Sequence, residues 1–286
     1  MKGIVLAGGT GSRLWPVTKS VSKQLLPIYD KPMIFYPIST LMLAGVREIL
    51  IITTPQDQDA FKALLGDGSE FGVSFQYAVQ ASPDGLAQAF LIGKTFLNNE
   101  SCLLILGDNI FHGTGLGQSL RTELPNTGAH IFTYEVAKPS DYGILEINEQ
   151  GTPISIEEKP EAPKSRLAVT GLYFFDHRVV TAAEGVKPST RGELEITSVI
   201  DYYLTKSELS FTALSRGTAW LDTGNSNALH DASSYVRVME ERTGLKIGCL
   251  EEIAFQNGWL NRDDLLNRAI ALGNSSYAKY LIQIAG

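Results

Sequence analysis

The 286-residue chain has little cysteine, no excess of positive charge and no long apolar run. Its two cysteines, Cys102 and Cys249, lie far apart in the sequence, which favours two reduced thiols over a disulfide framework. No segment approaches the roughly 20 consecutive apolar residues of a membrane span, and the N-terminal residues lack a signal-peptide pattern. The net charge of −7 argues against nucleic-acid and anionic-membrane partners, which require a basic surface. A cytoplasmic protein that binds neither nucleic acid nor membrane is therefore expected.

Several common catalytic motifs are also missing. No Gly-x-Ser-x-Gly elbow is present, so a hydrolase triad has no anchor, and the four histidines show no metal-ligand spacing. The glycine-rich segment near the N-terminus has Leu14 where a dinucleotide fingerprint needs its third glycine, and it lacks the Gly-Lys-Ser/Thr of a P-loop. Dinucleotide binding and P-loop chemistry are therefore not predicted.

The first half of the chain alternates short apolar runs with helical periodicity. Strands are predicted at Gly3–Ala7, Glu48–Thr53, Val73–Ala78, Cys102–Leu106 and Ala129–Val136. Helices are predicted at Pro32–Ala44, Gln56–Leu65, Gly85–Leu97 and Leu116–Glu123. This alternation predicts an α/β fold with a mostly parallel, Rossmann-like mixed sheet covered by helices on both faces. Ligands of such sheets bind at the carboxyl ends of the strands, where Gly8, Gln80 and Asp108 fall.

The pattern changes from about Asp141. A β-hairpin is predicted around Asn148–Pro153 and a strand at Val169–Phe175. Thr190–Glu193 is predicted as a capping box for the helix that continues from Ile196, and further helices follow, one of them beginning at Asn261. We expect a single domain, 1–286, with a nucleotide-binding part (1–140), a sugar-phosphate-binding part with the hairpin (141–224) and a C-terminal helical extension (225–286).

A glycine-rich loop follows the first predicted strand. Gly8-Gly9-Thr10-Gly11-Ser12 has almost no side-chain bulk, so a ligand can approach its backbone N–H groups. Arg13 follows directly and Lys23 lies ten residues further on. Exposed N–H groups beside a guanidinium are typical of a polyphosphate site. The loop alone is as typical of a tight strand-to-helix turn, and the two cations favour phosphate.

Two aspartates are predicted at strand ends. Asp108 follows the apolar run Leu103–Leu106, and Asp222 follows Ala219-Trp-Leu. Each alone is also ordinary turn chemistry. Because both lie at strand ends, the two carboxylates would bind one divalent cation together, and the same cation would bind a phosphate.

The segment Glu157-Glu158-Lys159-Pro160 closes the predicted hairpin. In this position Lys159 would be a phosphate-binding cation and Glu158 an acceptor for sugar hydroxyls. A solvated charge cluster is the alternative interpretation.

Eight segments, in order over nearly the whole chain, resemble the sugar nucleotidyltransferases. They are Leu6–Arg13, Ser22–Met33, Ser82–Phe90, Leu106–Asn109, Glu157–Pro160, Val169–Tyr173, Arg191–Thr197 and Trp220–Gly224. Within that family, the resemblance implies transfer of a thymidylyl group from dTTP to α-D-glucose 1-phosphate, which yields dTDP-glucose and pyrophosphate. Direct in-line displacement with no covalent enzyme intermediate is expected.

The resemblance also implies roles for single residues. The triphosphate would be held by Gly8, Gly9, Thr10, Gly11, Arg13, Lys23 and Gln24. Gln80 and Gly85 would read the thymine edge, with Asp84 positioning their loop. The glucosyl phosphate would contact Asn109, Gly143, Glu158, Lys159, Val169 and Trp220. Asp108 and Asp222 would coordinate Mg²⁺ and, with Arg13, Lys23 and Lys159, form the catalytic set.

A homotetramer with feedback inhibition by dTDP-L-rhamnose, in nucleotide-sugar synthesis for a surface polysaccharide, is implied in the same way. Three alternatives stay open: a UTP-using enzyme, one that uses another sugar 1-phosphate, and a non-catalytic binding protein. A metal-dependent glycosyltransferase is disfavoured because Asp108 is followed by Asn109 and Ile110 rather than by an Asp-x-Asp pair.

Overall fold

The structure, a computed structural model, describes residues 1–286. Its strands are β1 (Lys2–Ala7), β2 (Pro27–Ile28), β3 (Lys31–Pro32), β4 (Glu48–Thr53), β5 (Ser74–Val79), β6 (Cys102–Leu106), β7 (Asn109–His112), β8 (Ala129–Glu135), β9 (Gly143–Ile147), β10 (Pro153–Glu158), β11 (Leu167–Phe175), β12 (Leu209–Ala213) and β13 (Ala219–Asp222). Its α-helices are α1 (Phe35–Leu43), α2 (Gln58–Leu65), α3 (Gln88–Ile92), α4 (Lys94–Leu97), α5 (Leu116–Thr122), α6 (Val179–Glu184), α7 (Ile196–Leu204), α8 (Ser226–Thr243), α9 (Leu250–Gln256), α10 (Arg262–Ala271) and α11 (Ser276–Ala285).

Nine strands form one mixed sheet around β1. The order is β10-β9-β11-β6-β1-β4-β5, and β8 joins β11 on one side and β12 on the other. The pairs around β1 (β6-β1, β1-β4 and β4-β5) are parallel, which agrees with the buried apolar runs that predicted them. The predicted mixed, mostly parallel sheet is confirmed. The hairpin β9–β10, which the sequence predicted, attaches antiparallel to the first residues of β11.

Helices cover both faces of this sheet. Along β1, Val5 and Ala7 belong to the core beneath α1, α2, α5 and α9, whereas Ile4 and Leu6 belong to the core beneath α3, α4, α6 and α7. Successive side chains of a strand point to opposite faces, so one uniformly apolar strand serves two cores.

The predicted helix Gly85–Leu97 is wrong in its extent. The chain forms α3 and α4 with a break at Gly93, and the first helical residue is Gln88. Gly85 has a φ of +114° and packs so closely on Leu194 that a Cβ would lie 2.4 Å from the Leu194 nitrogen. The first residues of the predicted helix therefore belong to a loop that is held against the segment before α7.

The predicted capping box at Thr190–Glu193 is also wrong. Helix α7 begins at Ile196 after Glu195, which makes no side-chain cap hydrogen bond. The Ser189 N–H donates to the Glu193 carbonyl and the Gly192 N–H to the Ser189 carbonyl, so the segment forms a turn before the helix.

The C-terminal helices follow their sequence patterns. Leu229, Ala232, Val236 and Met239 of α8 pack with the β2–β3 hairpin, and Asn261 and Asp264 form a reciprocal capping box at α10. Helices α10 and α11 pack on each other and on α9. No helix of this chain is both long enough and apolar enough to cross a membrane.

Candidate active site

A cleft of about 520 Å³ opens at the carboxyl ends of β1 and β6. Every predicted site residue except Asp84 lines it. The lining includes Gly8, Gly9, Thr10, Gly11, Arg13, Lys23, Gln24, Gln80, Gly85, Asp108, Asn109, Gly143, Glu158, Lys159, Val169, Trp220 and Asp222. Residues from five separate parts of the sequence are thus brought to one edge of the sheet, where α/β folds bind ligands.

The glycine-rich loop forms the floor of this cleft. Gly11 has a φ of +62°, and its carbonyl accepts a 2.7 Å hydrogen bond from the Thr18 hydroxyl. A short 3₁₀ turn, Ser12–Leu14, follows and carries Arg13, whose side chain is exposed in the cleft. Gly8 is required for a different reason: a Cβ there would lie 2.2 Å from Oε1 of Gln80. The loop therefore combines open backbone with a cation, as its sequence predicted.

The two predicted aspartates are joined by a short strand pair. Strands β7 and β13 pair antiparallel, with Asn109 opposite Asp222, so Asp108 lies beside the end of β13. The Thr223 hydroxyl and N–H donate to the Asp108 carbonyl at 2.9 and 3.2 Å. The buried Lys23 ammonium donates to Asp108 Oδ2 at 2.5 Å. Lys23 thus contacts one carboxylate of the pair, that of Asp108.

The electrostatics of this pair suit a divalent cation. Burial and the charge of Asp108 raise the pKa of Asp222, while Lys23, Arg13 and Lys159 act in the opposite direction. Two carboxylates that oppose each other's ionisation gain from a shared positive ion. Divalent cations of this kind are commonly held by one or two carboxylates together with substrate phosphates. The donor set therefore fits a metal site completed by a phosphate.

Asn109 connects these carboxylates to the aromatic wall of the cleft. Its Oδ1 accepts from the Trp220 indole at 2.7 Å and from the Gly171 N–H at 3.1 Å, and its amide donates to Asp108 Oδ1 at 3.0 Å. A Cβ on Gly171 would lie 2.5 Å from the same oxygen. Since the side chain is 2% exposed, its evident task is to orient Trp220 and Asp108. The sugar contact expected of it stays a prediction.

Lys159 lies on a strained backbone. Its φ is +45°, which is unusual for a residue with a Cβ, and its N–H donates to the Tyr142 carbonyl at 3.0 Å. The Tyr142 ring packs on Trp220 with centroids 5.2 Å apart. Strain of this sort is retained where surrounding contacts hold a residue in a required direction. In the neighbouring residue Glu158, burial and the nearby Glu195 raise the pKa of the carboxyl group.

Arg191 is a cleft cation that the sequence analysis missed. Its Nη1 lies 3.3 Å from Glu195 and 3.7 Å from Glu158, and all three residues line the cleft. The segment was recognised in the resemblance but was interpreted as a helix cap. An arginine in the loop before a helix, within one of the motifs of the resemblance, was the available signal. Tyr142 and Tyr173 also line the cleft and carried no signal of their own.

Asp84 stands apart from the cleft lining. Its carboxylate accepts from the Gln88 amide at 3.0 Å and from the Ser82 hydroxyl, and its carbonyl accepts from the Leu194 N–H at 2.7 Å. Asp84 therefore bonds to residues around its own loop and does not face the open space of the cleft.

Comparison with known families agrees with this geometry. Residues 2–238 match the sequence model of the family described as Nucleotidyl transferase. The chain belongs to the nucleotidyltransferase family, and the resemblance seen in its eight motifs is confirmed.

Its curated relatives share a more particular name. Glucose-1-phosphate thymidylyltransferase of Neisseria meningitidis serogroup A / serotype 4A is 54% identical over 285 residues, which is 99% of this chain and 99% of the relative. The protein of the same name from Mycolicibacterium smegmatis is 55% identical over 284 residues, again 99% of both chains. The similarity therefore includes the C-terminal helices beyond residue 238.

Solved structures show the same fold. A Bacillus anthracis protein described as a glucose-1-phosphate thymidylyltransferase, in complex with a sucrose, has a TM-score of 0.77 and 40% identity over 83% of this chain and 95% of its own. A UDP-glucose pyrophosphorylase complexed with UDP-glucose has a TM-score of 0.74 and 25% identity over 83% of this chain and 98% of its own.

Proposed function

We propose that this chain transfers a thymidylyl group from dTTP to α-D-glucose 1-phosphate and releases dTDP-glucose and pyrophosphate. The observation that carries the proposal is the convergence of four cations and two carboxylates in one cleft of a nucleotidyltransferase. The cations are Arg13, Lys23, Lys159 and Arg191, and the carboxylates are Asp108 and Asp222. The full-length relatives named glucose-1-phosphate thymidylyltransferase support this choice of substrates.

Different segments of the chain would bind the triphosphate and the sugar phosphate. The N-terminal part, 1–140, supplies the glycine-rich loop, Arg13 and Lys23 for the triphosphate. The part 141–224 supplies Lys159 and Arg191 for the sugar phosphate, with Glu158 beside them for a sugar hydroxyl. Repulsion between the two anionic substrates is the main obstacle to the reaction, and these two groups of cations would offset it.

The nucleophile needs no activation by a base. A sugar phosphate oxygen is already ionised at neutral pH, so it can attack the α-phosphorus directly. Arg13 would neutralise the charge that develops on the departing diphosphate, while Lys159 and Arg191 hold the attacking phosphate in line. Catalysis is then largely alignment and charge stabilisation, as in phosphoryl transfers. Inversion at the α-phosphorus and no covalent enzyme intermediate are expected.

Asp108 and Asp222 would hold Mg²⁺ against the triphosphate. When bound, the ion would act as a Lewis acid on the phosphate oxygens. Lys23 contacts Asp108 and would balance part of the charge of the carboxylate pair. Trp220, held by Asn109, would form one wall of the phosphate site.

The test is pyrophosphate release in initial-rate assays with dTTP and α-D-glucose 1-phosphate, with and without Mg²⁺. We expect turnover that needs both substrates and the metal. A folded enzyme that binds both compounds and releases no pyrophosphate would contradict the proposal. Capture of a nucleotidylated side chain would contradict the direct displacement.

Use of UTP is the second candidate, because the structural relative complexed with UDP-glucose shares the fold. Thymine differs from uracil by one methyl group, which is worth about 1–3 kcal/mol in a fitted pocket. The ratio of kcat/KM for dTTP and UTP decides between the two, and a ratio below one favours UTP.

We further propose that the enzyme is a homotetramer inhibited by dTDP-L-rhamnose. We place the contact between copies on the C-terminal helices α10 and α11, which carry the exposed side chains of Ile270 and Ile282. Mass measurement in solution tests the assembly. Initial rates at increasing dTDP-L-rhamnose test the inhibition.

A further inference from the structure

A chain of hydrogen bonds runs from Gln80 at the cleft to Asp84 outside it. The Gln80 amide nitrogen donates to Gln88 Oε1 at 2.7 Å, and the Gln88 amide nitrogen donates to Asp84 Oδ2 at 3.0 Å. The Gln80 nitrogen also donates to the Gly85 carbonyl at 3.3 Å. Neither Gln88 nor Asp84 lines the cleft, so the first two bonds connect Gln80 to residues outside the cleft lining.

The direction of this chain is fixed by its acceptor-only ends. An amide side chain can turn either its oxygen or its nitrogen toward a neighbour, but an ionised carboxylate can only accept hydrogen bonds. The Asp84 carboxylate therefore requires the nitrogen of Gln88, which leaves the oxygen of Gln88 for Gln80. Gln80 must then turn its own nitrogen away from the cleft. The Gly85 carbonyl, also an acceptor only, reinforces the same orientation.

The consequence appears at the cleft surface. Gln80 Oε1 lies over Gly8, where it is 2.2 Å from the position that a Cβ would occupy. Gln80 itself is 4% exposed, so its amide cannot turn freely in water. The cleft thus presents a hydrogen-bond acceptor at this point. A pyrimidine with a hydrogen on N3, such as thymine or uracil, can donate to it, whereas the N3 of cytosine is an acceptor and would be left unpaired.

We propose that Asp84 and Gln88 are positioning residues that set the direction of the Gln80 amide and so exclude cytosine-type bases. The proposal rests on the proposed function, in which Gln80 faces the base of the nucleotide. Asp84 acts without touching the nucleotide, which agrees with its place outside the cleft lining.

The substitution Asp84→Asn tests this, because an asparagine can donate as well as accept and the chain can then reverse. The probes are dTTP and 5-methyl-dCTP, which differ only at positions 3 and 4 of the ring. We expect the wild type to bind dTTP more tightly. In Asp84→Asn the ratio of the two dissociation constants should fall about tenfold, the size of one hydrogen-bond preference. The melting temperature should not change, since Asp84 is exposed and its carbonyl contact to Leu194 is kept.

A second variant makes the test independent of general damage to the loop. In Asp84→Asn/Gln88→Glu the carboxylate moves one place along the chain, where it again accepts from the Gln80 nitrogen, so the wild-type ratio should return. The matched control Ser82→Ala removes a donor to Asp84 but keeps the carboxylate, and its ratio should equal that of the wild type.

The outcomes separate the two proposals. A wild type that neither prefers dTTP over 5-methyl-dCTP nor turns dTTP over contradicts the proposed function. If the wild type prefers and uses dTTP but Asp84→Asn keeps its ratio, the positioning role is wrong and the function stands. The same conclusion follows if the double variant does not restore the preference lost in Asp84→Asn.

Discussion

Arg13 is the residue whose removal tests the proposed chemistry most directly. It lies on the turn after the glycine-rich loop, beside the carboxylate pair: a Cβ built on Gly224 would be 3.3 Å from Arg13 Nη1 and 3.4 Å from both Asp222 oxygens. A triphosphate held by the loop and by the metal site would therefore have its departing end within reach of this guanidinium. We expect Arg13→Ala to slow the chemical step.

The size of the effect follows from the charge it removes. Two unit charges about 4 Å apart interact by about 1 kcal/mol in water and about 4 kcal/mol at an effective dielectric constant of 20. Arg13 is exposed and lines the cleft, so an interaction energy between these two limits applies to it. A loss of about 3 kcal/mol of transition-state stabilisation lies between these two limits, and it corresponds to a fall in kcat on the order of 10². Arg13→Lys keeps the charge but loses the bidentate fork, so it should recover part of the rate.

The assay is pyrophosphate release at saturating glucose 1-phosphate, with kcat and KM for dTTP determined separately. An interaction made mainly in the transition state lowers kcat and kcat/KM together. A variant in which KM rises and kcat is unchanged would show that Arg13 only binds the nucleotide. That result would refute its assignment to the leaving diphosphate.

Three further changes have defined outcomes. Gly8→Ala should reduce dTTP affinity at least tenfold because its Cβ would collide with the oxygen of Gln80, and calorimetric binding measures this. Asp222→Asn should lower kcat on the order of 10². It should also raise the metal-free melting temperature, because burial and Asp108 raise the pKa of this carboxyl and the charge is unfavourable in the fold. Burial lowers the pKa of His130 to about 4, so the unfolded chain binds more protons between pH 4 and 6.5, and stability falls as the pH is lowered from 6.5 to 4. Urea unfolding of His130→Gln should show a smaller fall, and an equal slope would contradict this reason.

The parallel strands were predictable because each is a short, almost uniformly apolar segment of the sequence. Glu48–Thr53 and Cys102–Leu106 are observed with the bounds that their apolar residues indicated. Once these strands are parallel, their carboxyl ends meet, and the loops after them must share one cleft. This explains why Gly8, Gln80 and Asp108 could be grouped from sequence before any contact was known.

The loops were less predictable because long-range contacts decide their structure. Gly85 looked like the start of a helix, but its backbone packs on Leu194, which is more than a hundred residues away. Thr190-Arg-Gly-Glu has the spacing of a capping box, and its arginine instead reaches Glu195 and Glu158 in the cleft. Local sequence preferences carry no information on such long-range contacts, so Arg191 was missed as a site residue.

The meeting of the two aspartates depends on a strand pair that is only four residues long. In an antiparallel pair, a slip of one residue would turn Asp222 to the opposite face, and four pairs alone specify register weakly. Two side-chain bonds near the Asn109–Asp222 end of the pair add what strand length does not supply: the Trp220 indole donates to Asn109, and the Thr223 hydroxyl donates to the Asp108 carbonyl. Both bonds run from the segment that carries Asp222 to Asp108 or its neighbour Asn109. Trp220 therefore contributes to the site through the register of β13 as well as through its ring.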